Sequence, residues 1–230
     1  MNMGIMLISA LFMGLSWLVS NRLKSKFQEY SKVPMRSGLT GREVAEKMLA
    51  ENGINDVKVI SVAGQLTDHY NPMNKTVNLS EWVYNQPTVA AAAVAAHECG
   101  HAVQHATAYT WLGFRSRMVP VLNISNTITP WIMMIGLGLA ASGSPTVLLI
   151  GILLFSLTTL FTVITLPVEF DASNRALKWL KTANITTAEE QTQAFSALKW
   201  AASTYVVAAL ASIAQLLYYV MRYMSATERR

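Results

Sequence analysis

Residues 97–101 read His97-Glu98-Cys99-Gly100-His101, two histidines four apart with a glutamate directly after the first. They close an alanine-rich, helix-favouring run. On an α-helix, positions i and i+4 lie one turn apart on one face, so both imidazoles can bind a single ion. Zinc suits such a pair because it accepts neutral imidazole nitrogen in tetrahedral geometry. Glu98, beside the first ligand but outside the coordination set, is the candidate general base for a water acidified by the metal. With 4 His in 230 residues, composition alone yields on the order of 0.003 such matches, so chance is a poor explanation. A structural metal site on a helix is the sterner rival. A third ligand and an open fourth position distinguish an enzyme from it.

Three residues compete for the third position. His105 is one further step of four along the helix, about 6 Å up the axis and rotated by roughly 40°. His69 lies in a stretch, Asp68 to Pro72, that reads as a turn. Glu169 follows an apolar span and is expected to open a second amphipathic helix, with Asp171 and Arg175 near enough to support it. Spacing alone puts Glu169 only modestly ahead, because an acidic pair at a helix start is a common stabilising pattern. A histidine-spaced extension of the motif is excluded, since position 107 is Thr107.

These residues need elements to hold them, and composition limits the choices. Charged residues make up 13% of the chain and hydrophobic ones 52%, a balance that fits a membrane protein. Four stretches are long and apolar enough to cross a bilayer: Met3 to Ser20, Met118 to Ala141, Thr146 to Leu166 and Thr204 to Met221. The expected fold is therefore mainly α, with about four transmembrane helices and a small α+β zincin-like domain on the membrane surface. The division is 1–20 as an N-terminal anchor, 21–117 as the domain bearing the motif, and 118–167 as a transmembrane hairpin. Residues 168–202 form the third-ligand helix and connection, and 203–230 the last span and tail. The short turn at 141–145 makes the middle spans a hairpin, which returns Glu169 to the side that carries the motif.

Orientation follows from lysine and arginine. Residues 21–117 carry 11 of them and 168–202 carry 4, whereas the opposite side has only Arg222, Arg229 and Arg230. The site is expected to face the cytoplasm. The net charge of +5 is explained by this asymmetry and gives no case for nucleic acid. The single cysteine, Cys99, permits no internal disulfide and points away from the histidine face.

Within 21–117, Thr40-Gly41-Arg42-Glu43 is a possible capping box for a helix to Glu51. Strands are expected at Val57–Val62 and at Lys75–Leu79, the second as a sheet edge for an extended peptide. Thr88 or Ser80 can cap the motif helix. Trp179 suits a membrane interface, and Asn123, Ser125, Asn126 and Thr127 are expected to face other helices or the site cavity rather than lipid.

With those residues placed, the chain resembles the YugP-type neutral zinc metallopeptidases, a gluzincin-like family of bacterial multi-pass membrane proteins. The resemblance rests on Gly38-Leu39-Thr40-Gly41, the run Leu66 to Pro72, Lys75 to Ser80, the helix Val94 to Gln104, and Leu166 to Ser173. It implies His97, His101 and Glu169 as ligands of one zinc per chain and Glu98 as catalytic base. It also implies a peptide or protein substrate and a cell-membrane location; it leaves the oligomeric state open. His69, Tyr70 and Arg175 are candidates to stabilise an oxyanion, and Asp171 to support the ligands. Two rival readings are an intramembrane-cleaving metalloprotease and a non-catalytic scaffold with a structural zinc.

Overall fold

A computed structural model describes residues 3–228. The first two residues of the expected anchor, and Arg229 and Arg230 of the charge asymmetry, lie outside them. The elements run α1 (Met3–Tyr30), α2 (Gly41–Glu51), β1 (Lys58–Val62), β2 (His69–Asn71), β3 (Thr76–Ser80), α3 (Glu81–Asn85), α4 (Val89–Ala106), α5 (Thr110–Ala141), α6 (Thr146–Thr182) and α7 (Ala188–Thr227). The fold is mainly helical, with one small mixed sheet. Helices α1, α5, α6 and α7 are each long and apolar enough to cross a membrane.

The chain divides into two compact units. One comprises Phe114–Leu166 with the chain up to Leu18 and from Thr204 onward; the other comprises Val19–Gly113 and Pro167–Ser203. In the first unit, α5 and α6 form a hairpin whose turn uses Gly143 at φ +87°. Their backbones meet closely, since a Cβ on Gly136 would lie 2.6 Å from the Leu148 Cα. Hydroxyl and amide groups tie the helices: Thr158 Oγ1 donates to Asn126 Oδ1 at 2.8 Å, and the Thr162 and Ser212 hydroxyls pair at 2.8 Å. Ser125 is buried, but Asn123 and Thr127 are exposed. The expected inward-facing polar patch is therefore only half realised, because four neighbouring helical positions sweep most of the circumference.

The second unit has its core where α2 and α4 pack against β3. Val44 and Met48 of α2, Val77 and Leu79 of β3, and the alanines of α4 are all buried. Small side chains on α4 let the neighbours approach closely. Trp179 joins this core rather than an interface, with 8% exposure and its Nε1 donating to Glu51 Oε2 at 2.7 Å. An indole can bury its ring when its N–H finds an acceptor.

Thr40 caps α2 in a full capping box: its hydroxyl accepts from the Glu43 N–H, and Glu43 accepts from the Thr40 N–H. Those bonds from Thr40 hold the Glu43 carboxyl below its usual range. Thr40→Ala should lower stability by about 1 kcal/mol, the usual cost of such a cap, read as a fall in Tm of the purified protein.

The sheet departs from two expectations. Residues 69–71 form strand β2, antiparallel to β3, rather than a turn. Tertiary contacts override the turn-forming composition. Asn78 Nδ2 donates to the His69 carbonyl, and the Asp68 carboxylate accepts from both the N–H and the hydroxyl of Ser80. The strand order is β1-β3-β2, so Thr76–Ser80 is the central strand and no edge. Its residues are buried throughout. The edge beside the motif helix is β2.

Candidate metal centre

Helix α4 starts at its cap Thr88, whose hydroxyl accepts from the Ala91 N–H. The helix then carries His97, Glu98 and His101 through the core. Helix α6 passes it with Glu169, and the two helices touch at Gly100, where a Cβ would sit 2.5 Å from the Ala172 carbonyl oxygen. Only a residue without a side chain fits there. Glu169 does not open a new helix, as expected, but lies within one continuous 37-residue helix that also contains Pro167. Proline punctuates soluble helices, whereas long apolar helices accommodate it when neighbours satisfy the freed backbone groups.

The three ligand atoms of His97, His101 and Glu169 all fall within 4.8 Å of one another. Glu169 Oε2 stands 3.4 Å from His97 Nε2 and 3.7 Å from His101 Nε2. Ligands about 2.0–2.1 Å from a tetrahedral zinc are separated by roughly 3.3 Å, so the trio has the size of a zinc site. The imidazole planes stand at 80° with centroids 4.8 Å apart, as two side chains aimed at one point would.

What fixes those nitrogens lies behind them. Gln104 is fully buried, and its amide Nε2 donates to the Val168 carbonyl and to Asp171 Oδ2, both at 2.8 Å. Its oxygen therefore faces His101 Nδ1, 3.0 Å away, and accepts the proton there. That tautomer leaves the lone pair on Nε2, toward Glu169. Arg175 Nε in turn donates to Asp171 Oδ2 at 2.5 Å. His97 Nδ1 has its own partner, the Ser173 hydroxyl at 3.1 Å. Residues 104 and 173 were not singled out from sequence. The signal was available, because they stand three and four residues past His101 and Glu169, on the same helix faces.

Burial works against charge on His101, but the Glu169 carboxylate 3.7 Å away, the nearby Glu98 and the Gln104 contact together raise its proton affinity. The pocket is thus negative in character and favours a cation. Glu98 is buried, and its Oε2 accepts from the Tyr70 N–H of β2 at 2.9 Å. Cys99 faces the opposite way, its thiol toward the Ala45 carbonyl; burial pushes its pKa well up, which suits packing and not ligation.

The remaining sequence candidates stand apart from the trio. His105 Nδ1 lies 2.7 Å from the Tyr70 hydroxyl, and exposed His69 has its Nδ1 on the Thr67 carbonyl. Neither joins the metal-sized cluster.

The family described as "Putative neutral zinc metallopeptidase" matches residues 5–224. This chain belongs to that family. It is similar to the "Putative membrane protease YugP" of Bacillus subtilis (strain 168), 42% identical over 213 residues that cover 93% of each chain. No solved structure matches it. The family's name carries zinc, and the donor set here fits that metal: two imidazoles each partnered at Nδ1, that of His101 with its tautomer set by Gln104, and one buried carboxylate.

Replacing Gln104 with leucine keeps the volume and removes the amide. Zinc affinity should fall about 10- to 100-fold, the usual cost of losing a residue that orients a ligand, as read by competition with a chelating dye.

Proposed function

We propose that this chain is a membrane-embedded zinc endopeptidase whose metal is held by His97, His101 and Glu169. The observation that carries the reading is the convergence of two Nε2 atoms and one carboxylate beside a fourth residue, Glu98, whose carboxylate is held but not used as a ligand. Zinc bound there would supply Lewis acidity, polarising a carbonyl and bringing the pKa of water toward neutrality. Glu98 takes the proton from the attacking water and returns it to the departing amine nitrogen. The Tyr70 N–H keeps one carboxylate oxygen fixed, leaving the other to face the reaction. Asp171 and Arg175 act through Gln104, as holding residues. The oxyanion donor belongs on β2, with His69 or Tyr70. Burial raises the Tyr70 pKa, so the phenol stays protonated.

Helix α4 packs its apolar run on α2 and β3, which supports peptide hydrolysis in a folded domain over cleavage inside the bilayer. A structural zinc would want four protein ligands, and among the described residues the cluster offers three. Charge asymmetry supports a cytoplasmic site on a multi-pass chain divided as 1–20, 21–117, 118–167, 168–202 and 203–230.

The test is Glu98→Gln in the full chain. Zinc should stay at one per chain while hydrolysis of a casein-derived peptide library falls at least a hundredfold. Hydrolysis at the wild-type rate by the zinc-loaded variant would overturn the mechanism.

A further inference from the structure

Away from the metal centre, a cleft of about 400 Å³ opens between the end of α1 and the loop that leads into β2. Its helical wall is a stripe at i, i+1, i+4 and i+5: Leu23, Lys24, Phe27 and Gln28. The Phe27 ring packs at a tilt against that of Trp82, another lining residue, with centroids 5.3 Å apart. The facing wall is Leu66, which is 58% exposed and held at φ +58°, in the left-handed region. A leucine there costs backbone strain and stays mostly exposed, so its position needs another reason.

The cleft's charge is one-sided. No carboxylate lines it. Lys26, two residues further along the helix, is engaged by Glu29 at 2.7 Å and by the Tyr30 ring. Lys24 has no carboxylate partner among the described residues. The depth of Lys24 narrows the occupant. The apolar stretch of α1 ends at Ser20, and Lys24 follows about 6 Å further along the same helix at 1.5 Å per residue. The headgroup layer is roughly 5–8 Å thick on each side of the hydrocarbon core.

We propose that this cleft binds an anionic phospholipid of the surrounding bilayer, with its phosphate on Lys24 and its apolar portion against Leu23, Phe27 and Leu66. The proposal rests on the chain being membrane-embedded but not on its being a peptidase. A lipid reaches the cleft by lateral diffusion, and its amphipathic shape matches a wall that turns from apolar to cationic within one helical turn.

Native mass spectrometry of the full chain in detergent tests this, with phosphatidylglycerol and phosphatidylcholine offered at equal concentration. The wild type should retain one phosphatidylglycerol in preference. Lys24→Gln should weaken that retention about fivefold, the effect of one juxtamembrane lysine. Leu66→Asn, which tolerates the same backbone, should weaken retention of both lipids, and Arg22→Gln should change neither. The inactive Glu98→Gln chain should behave as wild type, which separates this result from the catalytic one. Unchanged selectivity in Lys24→Gln would overturn the assignment. So would displacement of the lipid by millimolar glycerol phosphate, which would make the cleft a site for a soluble anion. A chain released from membranes by carbonate would remove the bilayer premise and the assignment with it.

Discussion

Gly100→Ala should cost the protein its metal and most of its activity, although neither the ligands nor the base is touched. In an ordinary helix interior this change is favourable by about 1 kcal/mol. Here the new Cβ would stand 2.5 Å from the Ala172 carbonyl oxygen and 3.1 Å from that residue's C and Cα. All three are backbone atoms and cannot rotate aside, so α4 and α6 must separate by roughly 1 Å to restore ordinary contact. Ala172 lies between Glu169 and Ser173, so the shift carries off the third ligand and the hydroxyl that steadies His97. Overpacking of this kind costs about 1–3 kcal/mol, and a 1 Å misplacement of reacting groups costs about a hundredfold in rate. Zinc stoichiometry, Tm and kcat/KM on one preparation read all three. A variant that is more stable and fully metallated would show that the two helices do not touch there.

Glu169→Ala should abolish stoichiometric zinc. The carboxylate is 2% exposed and supplies the one negative donor of the trio. The loss should exceed the 10- to 100-fold expected for Gln104→Leu, because on the proposed function a direct ligand is removed. The fold should survive, since Glu169 is not part of the hydrophobic core of the second unit. The measurement is zinc per chain after gel filtration, beside circular dichroism to verify helix content. One zinc per chain in this variant would mean that another residue completes the site, with His69 and His105 first to be tested.

Much of this architecture was readable because its signals are local. The four spans follow from runs of apolar residues, the α2 capping box from Thr40 and Glu43, and the i, i+4 histidines from helical geometry. What was missed depends on partners distant in sequence. Residues 69–71 look like a turn until Asp68 and Asn78 are seen to bind them to β3. The Lys75–Leu79 segment looks like an edge because strand order is invisible in one dimension. Pro167 looks like a helix boundary by the habits of soluble proteins. Trp179 looks interfacial until Glu51 is found to accept its N–H. Gln104 is of the same kind: its roles as donor and acceptor appear only when Val168, Asp171 and His101 are placed around it.

The separation of the ligands along the chain also sets a timetable. His97 and His101 are made early, and Glu169 follows only after the whole of α5 and most of α6. At about 5–20 residues per second, roughly 3 to 14 s of synthesis divide the second histidine from the carboxylate. During that interval the nascent chain holds both imidazoles and Glu98 but not the Glu169 carboxylate. On the proposed function, competence to cut would arrive only once the hairpin-forming segments have been made, and a ribosome that stalls within them would leave behind an inert polypeptide rather than an unrestrained protease.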